Sequence, residues 1–581
     1  MQQKAVLPTK IEQLNSELPI TGAEALIRSL IAESVTTIFG YPGGAIMPVY
    51  DALYHYGQQL NHILTRHEQG AIHAAQGYAR ASGKVGVVFV TSGPGATNLV
   101  TGLADAMIDS TPVVCITGQV ASHLLGTDAF QETDVMNITL PVTKWSVQIT
   151  RAEDIPAAVA KAFYIARTGR PGPVLIDITK DAQFGKAPFA YIPCHQLRTY
   201  RPKPQLNREA VRAAAELINQ AQRPYLLAGQ GVLLSGAGEA LKKLAEKAGI
   251  PVANTLLGLS SFPADHPLYV GFLGMHGNYS TNRNTNECDV LIAVGMRFDD
   301  RVTGDITKYA RQAKVIHIEL DEAEINKIIK ADVAIHADAR EALEALLPLV
   351  KPNQHPEWLQ SFRRYQQEEY EKIVARDWFP ATGLIKMGEV IHLLSEFTRG
   401  QALIVTDVGQ HQMVTSRYYA FTRPRTHITS GGLGTMGFAL PAAMGAALGA
   451  PHEQVIAIIG DGGFQMTIQE LGTIAQYRIP VKILVLNNSF LGMVRQWQQL
   501  FHESRYSFTE MVNPDFVKLL EAYGIPAHRV TERAGLAEAL QAFLAQPGPC
   551  FLEVKVEKEE NVFPMVPAGA AVSDMILEVK A

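Results

Sequence analysis

The residues best placed to do chemistry are one acid and one amide, each set at the end of an apolar run. The run VIAII at 455–459 leads into Gly460-Asp461-Gly462-Gly463, and ILVL at 483–486 leads into Asn487-Asn488. Two adjacent parallel strands would deliver Asp461 and Asn488 to one carboxyl edge of a sheet, where open α/β folds bind ligands. A carboxylate beside a neutral amide oxygen leaves a bound divalent cation some residual positive charge, and with no soft ligand nearby magnesium fits better than zinc. The N–H groups of Gly462 and Gly463, exposed at a helix start, suit an anion such as a diphosphate. The plain alternative is a tight Asp-Gly turn beside an unrelated Asn pair, and the strand context of both halves weighs against it.

A second candidate is Glu68, in Arg66-His67-Glu68-Gln69-Gly70, after Ile63-Leu64 and ahead of an Ala-rich helical stretch that reaches Ala81. A carboxyl there is pulled toward its neutral form by burial and toward its charged form by helix N–H groups, which suits proton exchange. Read alone, it is a first-turn Glu complementing a helix dipole.

The elements that must position these groups are short β-branched runs alternating with Ala-rich helical patterns. VGVVFV at 85–90, PVVCITG at 112–118 and PVLIDIT at 173–179 form a first series; PYLLAG at 224–229, VLIAVG at 290–295 and VIHIEL at 315–320 a second. ALIVTD at 402–407 opens a third, which contains both halves of the metal motif. The fold class predicted is α/β, with three domains, each a parallel sheet flanked by helices. Thr21 and Glu24 form a capping box ahead of Ala25, Leu26 and Leu30 and mark where folding begins. Pro188, Pro193, Pro202 and Pro204 mark one linker, and a polar, Pro-containing stretch marks another. The division expected is a leader at 1–19, a first domain at 20–185, a linker at 186–205, a middle domain at 206–350, a linker at 351–380, a third domain at 381–556 and a tail at 557–581.

A chain of 581 residues exceeds what one core accommodates. Its formal charge of -5 is small, and basic residues are interleaved with acidic ones, which favours neither nucleic acid nor an anionic membrane as partner. Cys115, Cys194, Cys288 and Cys550 are scattered, with no spacing for zinc or a disulfide framework, so a reducing cytoplasm is the simplest setting. The N-terminus mixes Lys4 and Lys10 with Glu12 and Glu17 and has no secretory apolar region. Two uncharged stretches, at 85–104 and 431–450, are long enough to cross a bilayer, but Gly and Pro interrupt both, so buried strand-turn-helix is the better reading.

The Gly-Asp-Gly to Asn-Asn pattern is similar to the thiamine-diphosphate motif of the pyruvate-decarboxylase-like enzymes. The segment around Glu68, preceded by Gly40-Tyr41-Pro42-Gly43-Gly44 and followed by Thr91-Ser92-Gly93-Pro94-Gly95, looks like their pyrimidine domain. From Pro19 onward the chain resembles the acetohydroxyacid synthase (acetolactate synthase) catalytic subunits. Val408-Gly409-Gln410-His411, Gly431-Gly432-Leu433-Gly434-Thr435-Met436-Gly437, Met493-Val494-Arg495-Gln496-Trp497 and Arg297-Phe298-Asp299-Asp300-Arg301 carry that resemblance.

The resemblance implies a thiamine-diphosphate-binding fold at both ends, a Rossmann-like middle domain, and three cofactors: thiamine diphosphate, Mg2+ and FAD. The flavin is expected to be structural and non-redox, because joining carbon to carbon moves no net electrons. It further implies that Phe490 completes the metal shell through its carbonyl, that Glu68 protonates the coenzyme's pyrimidine ring, and that Gly409, Gln410 and His411 hold the diphosphate with Gly462 and Gly463. Met436, with Gly434, props the coenzyme in its bent form, and Phe130, Gln131 and Lys180 line the approach to its reactive carbon. Met493 and Trp497, one helical turn apart, share a face beside the coenzyme and the acceptor pocket. Trp497 narrows that pocket in favour of 2-oxobutyrate over pyruvate, an effect of roughly 1–3 kcal/mol; ordinary core filling is the alternative for both residues.

Arg170, His276 and Arg297 with the residues between them, and Glu319 and Asp338 with theirs, are expected to hold FAD. Independently of resemblance, Glu319 ends a strand where it could bind ribose hydroxyls, while Gly229-x-Gly231 is only a fragment of a dinucleotide fingerprint. The activity implied is decarboxylation of pyruvate and transfer of its two-carbon fragment to a second 2-oxo acid. The products are 2-acetolactate or 2-aceto-2-hydroxybutyrate, precursors of branched-chain amino acids. In the family the two ends that meet belong to different subunits, which implies a homodimer or dimer of dimers with shared sites; a small regulatory subunit is a further expected partner. The tail is expected to close over the site. A pyruvate oxidase shares the fold and cofactors, and Trp497 with the Arg297 to Arg301 segment argues against it. A non-catalytic relative is disfavoured because Glu68, Asp461 and Asn488 are all present.

Overall fold

A computed structural model of the chain describes residues 13–578, so most of the expected leader lies outside the described residues. Chain order begins with β1 (Ser16–Thr21), followed by β2 (Thr37–Gly40), β3 (Asn61–Leu64), β4 (Gly86–Val90), β5 (Val113–Gln119), β6 (Trp145–Ile149), β7 (Val174–Thr179) and β8 (Lys186–Phe189). Strands β1 and β8 pair antiparallel. The other six form a parallel sheet in the order β3-β2-β4-β5-β7-β6. The apolar run of β4 is buried at every position, as a parallel sheet covered on both faces requires.

The second series is β9 (Pro224–Ala228), β10 (Val252–Asn254), β11 (Tyr269–Phe272), β12 (Val290–Val294), β13 (Lys314–Glu319) and β14 (Val333–His336), in the order β11-β10-β9-β12-β13-β14. The third is β15 (Leu403–Thr406), β16 (His427–Thr429), β17 (Val455–Gly460), β18 (Val481–Asn487), β19 (Ala527–Val530) and β20 (Cys550–Lys555), in the order β16-β15-β17-β18-β20-β19. Counted within each series, the first and third sheets share the order 2-1-3-4-6-5, and the middle one has the 3-2-1-4-5-6 order of dinucleotide-binding folds.

Three local expectations need correction. Among the described residues a strand already starts at Ser16, before the residue chosen as the helix cap, because β1 gains a ladder from β8, which itself falls inside the expected 186–205 linker. The capping box is half formed: Thr21 accepts from the Glu24 N–H, but the Glu24 carboxylate is held by Arg28 and Tyr56. The stretch at 351–380 is largely helical. Helix Pro356–Glu369 starts on proline and buries Trp358 and Phe362, one turn apart, against the middle domain, so a narrow apolar stripe outweighs its many polar residues.

The chain forms two compact units. One joins the residues up to Pro202 with Ser430–Val455 and Met466–Val481; the other contains Lys203–Thr429, Ile456–Gln465 and the residues from Lys482 on. Within the first, helix Glu68–Ser82 packs on helix Ala439–Gly449 at backbone contact. A methyl group on Gly77 would overlap the Ala442 carbonyl, and one on Gly445 the Ala74 carbonyl. Close approach is why both positions lack a side chain.

Candidate active site

Strands β17 and β18 are neighbours, so Asp461 and Asn488, each directly after its strand, lie at one edge of the third sheet. Asp461 is buried and opens helix Asp461–Met466, with Gly462 and Gly463 buried in the same first turn. Its Oδ2 accepts from Asn513 Nδ2 at 2.7 Å, whereas its Oδ1 is buried without a partner. Burial raises its pKa to about 6. A buried carboxylate oxygen with nothing to bind is costly, and a hard cation at this edge would satisfy it. Asn488 supplies a second oxygen, and its Oδ1 also accepts from the Phe490 N–H at 3.1 Å. Ser489, in the left-handed region at φ +58°, turns the chain between them. Asp461 is the lone carboxylate of this set, and its all-oxygen donors would suit a hard divalent cation better than a soft one.

Helix Gln410–Tyr418 starts beyond β15 after Gly409, whose φ of +151° suits glycine, and no side chain caps that helix. Its first N–H groups and those of Gly462 and Gly463 are two helix starts suited to a diphosphate. His411 is buried against Gly460 with Nε2 unpartnered, and burial lowers its pKa to about 3. It is therefore a neutral hydrogen-bonding group rather than a cation.

The Gln410 side-chain amide is held by neighbours in the chain. Its Nε2 donates to Gln496 Oε1 at 3.0 Å and to the Glu560 carbonyl at 2.7 Å, and its Oε1 accepts from Asn488 at 3.2 Å. The amide is committed within the chain, which leaves the backbone N–H for a phosphate.

Helix Gly492–Phe501 reverses the usual amphipathic arrangement. Its buried residues are Arg495 and Gln496, while Met493 and Trp497 are partly exposed and Val494 is exposed. Met493 packs against the core of the third domain, while Trp497 is only partly buried, with its ring 5.1 Å from that of Phe501. Arg495 and Gln496 are buried because they bond Glu560, Asn561 and Val562 of the tail. The tail is packed as far as described: Met565, Val566, Ala571 and Val572 are buried, Met565 pairs with Ile576, and Val566 N–H donates to the Met275 carbonyl at 2.8 Å. A frayed end is excluded for these residues.

In the first unit, Glu68, Gln131 and Lys180 lie on segments leaving the carboxyl ends of β3, β5 and β7. Glu68 is half-buried and opens helix Glu68–Ser82, with one carboxylate oxygen accepting from Asn98 Nδ2 at 2.9 Å. Glu470 fixes the turn before it by accepting from the N–H groups of Arg66 and His67 at 3.0 and 3.1 Å. Gln131 has a φ of +61° and packs its backbone on Gly93; Lys180 opens helix Lys180–Phe184; Phe130 is 88% exposed. Gly434 and Met436 lie in a loop held by two buried acids. Asp109 accepts from Gly431 and Gly432 N–H, both at 2.7 Å, and Asp105 accepts from Ser430 and from Thr435 Oγ1. Burial, then the neighbouring Asp105, raises the Asp109 pKa to about 6. Sequence spacing gave no signal for Asp105, Asp109, Glu470, Asn513 or Gln496, whose partners lie far along the chain or in irregular loops.

Arg170 precedes β7, at the opposite edge of the first sheet from Glu68, and donates to Ser110 Oγ at 2.9 Å and the Ile108 carbonyl at 3.0 Å. In the middle sheet the order reverses between β9 and β12, the place where such folds bind dinucleotides. The Gly229 and Gly231 N–H groups there are already spent on the carbonyls of Val294 and Gly295, both at 2.9 Å, so they do not form a pyrophosphate cradle. Other groups fit a flavin nucleotide better. Glu319 is the last residue of β13 and Asp338 follows the end of β14, although each carboxylate also accepts from nearby backbone N–H groups. Arg297 stands 3.8 Å from Asp299, and buried His276 has an unpartnered Nδ1 and a pKa lowered by burial to about 3.

Three family models match the chain, each described as part of a thiamine pyrophosphate enzyme: the N-terminal TPP binding domain at residues 20–138, the central domain at 211–346 and the C-terminal TPP binding domain at 407–554. That is the class the paired 2-1-3-4-6-5 sheets and the metal edge define. Among curated proteins, the chain is 46% identical over 560 residues to the acetolactate synthase isozyme 2 large subunit of Escherichia coli (strain K12), covering 96% of this chain and 99% of that one. It is 47% identical over 574 residues to the acetolactate synthase large subunit of Corynebacterium glutamicum, covering 96% and 90%. A probable acetolactate synthase large subunit of Methanocaldococcus jannaschii is 46% identical over 569 residues, covering 96% and 95%. The chain belongs to the acetolactate synthase large-subunit family. Among the described residues no helix is long and apolar enough to cross a membrane.

Proposed function

We propose that this chain decarboxylates pyruvate and joins the two-carbon fragment to a second 2-oxo acid, pyruvate or 2-oxobutyrate, to give 2-acetolactate or 2-aceto-2-hydroxybutyrate. The observation that carries this reading is the unpartnered, buried Asp461 Oδ1 at the strand edge it shares with Asn488, between two helix starts. Thiamine diphosphate, when bound, supplies the carbon nucleophile and the electron sink. Asp461, Asn488 and the Phe490 carbonyl would hold Mg2+, which neutralises the diphosphate. The N–H groups of Gly462 and Gly463 and of the turn at Gly409 would hold the phosphates, and neutral His411 would add a hydrogen bond.

Glu68 holds and returns the proton at the coenzyme's pyrimidine nitrogen, and Gly434 and Met436 brace the ring. Phe130, Gln131 and Lys180 line the approach and keep water out, while Met493 and Trp497 present a flat apolar wall to the acceptor. FAD would be structural, held by Arg170, His276, Arg297, Glu319 and Asp338, and takes part in no step. A homodimer or dimer of dimers with shared sites, a small regulatory subunit and a cytoplasmic setting complete the proposal.

The test is to incubate the purified protein with pyruvate, thiamine diphosphate and Mg2+, with and without FAD, and identify the product. Acetolactate, read as acetoin after acid treatment and formed without an electron acceptor, is expected. Acetate or acetyl phosphate formed only with an acceptor would overturn the reading in favour of an oxidase.

A further inference from the structure

The metal end of the site connects to the tail through a chain of amides. The Glu560 carbonyl can only accept, so it fixes which end of the Gln410 amide bears the nitrogen, at 2.7 Å, and leaves Oε1 facing Asn488. Asn488 must then present its Nδ2 to Gln410, which turns its Oδ1 away, to where the Phe490 N–H meets it at 3.1 Å. Gln496 is oriented in the same manner. Its Oε1 accepts from Val562 N–H at 2.8 Å and its Nε2 donates to the Val562 carbonyl at 3.1 Å, so that Oε1 is also available to Gln410 at 3.0 Å. Three backbone groups of the tail therefore determine the sense of two buried glutamines and, through them, of the asparagine. Gln410, Asn488 and Gln496 are all buried, so water cannot readily replace a lost partner. Gly492 keeps the contact tight, since a methyl group there would meet both Gln410 Oε1 and Asn488 Nδ2.

We propose that Gln496 is a positioning residue for the divalent cation, coupling the docking of tail residues 560–562 to presentation of the Asn488 oxygen. This rests on the metal site proposed above. The coupling is reciprocal: whatever the docked tail adds to metal affinity, bound metal returns to the docking of the tail. Outer partners of this kind typically alter metal affinity by about 10–100-fold.

The experiment titrates Mn2+ into the full-length protein with excess thiamine diphosphate and follows the free-ion signal by electron paramagnetic resonance. Gln496→Leu is expected to weaken Mn2+ binding about tenfold. In the unaltered protein, hydrogen exchange in a peptide spanning 560–566 should slow when Mn2+ joins the coenzyme, a measurement that stands even if the leucine variant does not fold. Unchanged Mn2+ affinity in a folded Gln496→Leu protein, or tail exchange indifferent to metal, would overturn the proposal. Asp461→Ala separates the two levels: if it too binds Mn2+ normally, the metal site itself is misplaced, whereas its loss of binding beside a normal Gln496→Leu protein sinks only the coupling.

Discussion

The first and third sheets of this chain share one strand order and finish their carboxyl edges in opposite ways. At the third, Asp461, Asn488, Gln410 and His411 are all buried, and Gln410 bonds both Asn488 and the Glu560 carbonyl of the tail. At the first, Glu68 is half-buried with one asparagine partner, and Phe130 stands in the open. The same topology thus yields one edge whose polar side chains are buried and one whose side chains stand nearer the surface. A buried edge suits the tight grip that a diphosphate and cation require. An edge nearer the surface suits a group that must exchange protons.

The strongest way to break this contrast is Glu68→Gln. Turnover should fall by roughly 10²–10⁴ while thiamine diphosphate still binds, read by steady-state rates beside coenzyme-dependent quenching of tryptophan fluorescence. Loss of binding instead would make Glu68 part of the grip and erase the division of labour. Trp497→Leu sharpens the picture at the buried edge. The ratio of 2-aceto-2-hydroxybutyrate to 2-acetolactate formed from mixed substrates should drop about tenfold with pyruvate consumption nearly kept, as expected for a pocket distinguishing one methylene.

Asp109→Asn asks whether the loop carrying Met436 needs its own anchor. The Gly431 and Gly432 N–H groups bond different carboxylate oxygens, one of which an amide replaces with a donor, so one N–H is stranded at a cost of about 1–3 kcal/mol. The KM for coenzyme should rise more than kcat falls. The smallest effect concerns Glu560, whose pKa burial and the neighbouring Asp377 push up to about 7 against the pull of Lys386, 3.5 Å away. A carboxyl raised above its unfolded value favours folding most at low pH, and that contribution is lost as pH rises through the folded value. The Tm of Glu560→Gln should therefore match that of the parent near pH 4.5 and exceed it above about pH 7, by a few degrees in differential scanning calorimetry.

Much of this was legible before any coordinates. The apolar runs that became β17 and β18 carry their functional residues directly after them, so a strand assignment alone placed Asp461 and Asn488 at one edge. The helix start at Glu68 was legible in the same way, whereas its expected role came from the resemblance and not from its position. What escaped was whatever depends on partners remote in the chain: Asp109 under Gly431, Glu470 under Arg66, Val562 on Gln496. Helix Pro356–Glu369 escaped because two aromatic residues bind it to its core, too few to dominate a polar composition. The bonds of the Gln410 amide left no local trace either, because its partners lie far along the chain.

Anyone hardening this protein against heat would be tempted by its helical glycines, because replacing one with alanine ordinarily gains about 0.4–1 kcal/mol by restricting the unfolded chain. At Gly77 and Gly445 that rule reverses: the added methyl would land on a carbonyl of the opposing helix and force the pair apart. These two positions belong on the list of residues to leave untouched, and a screen that enriches alanine there would be selecting for a different packing.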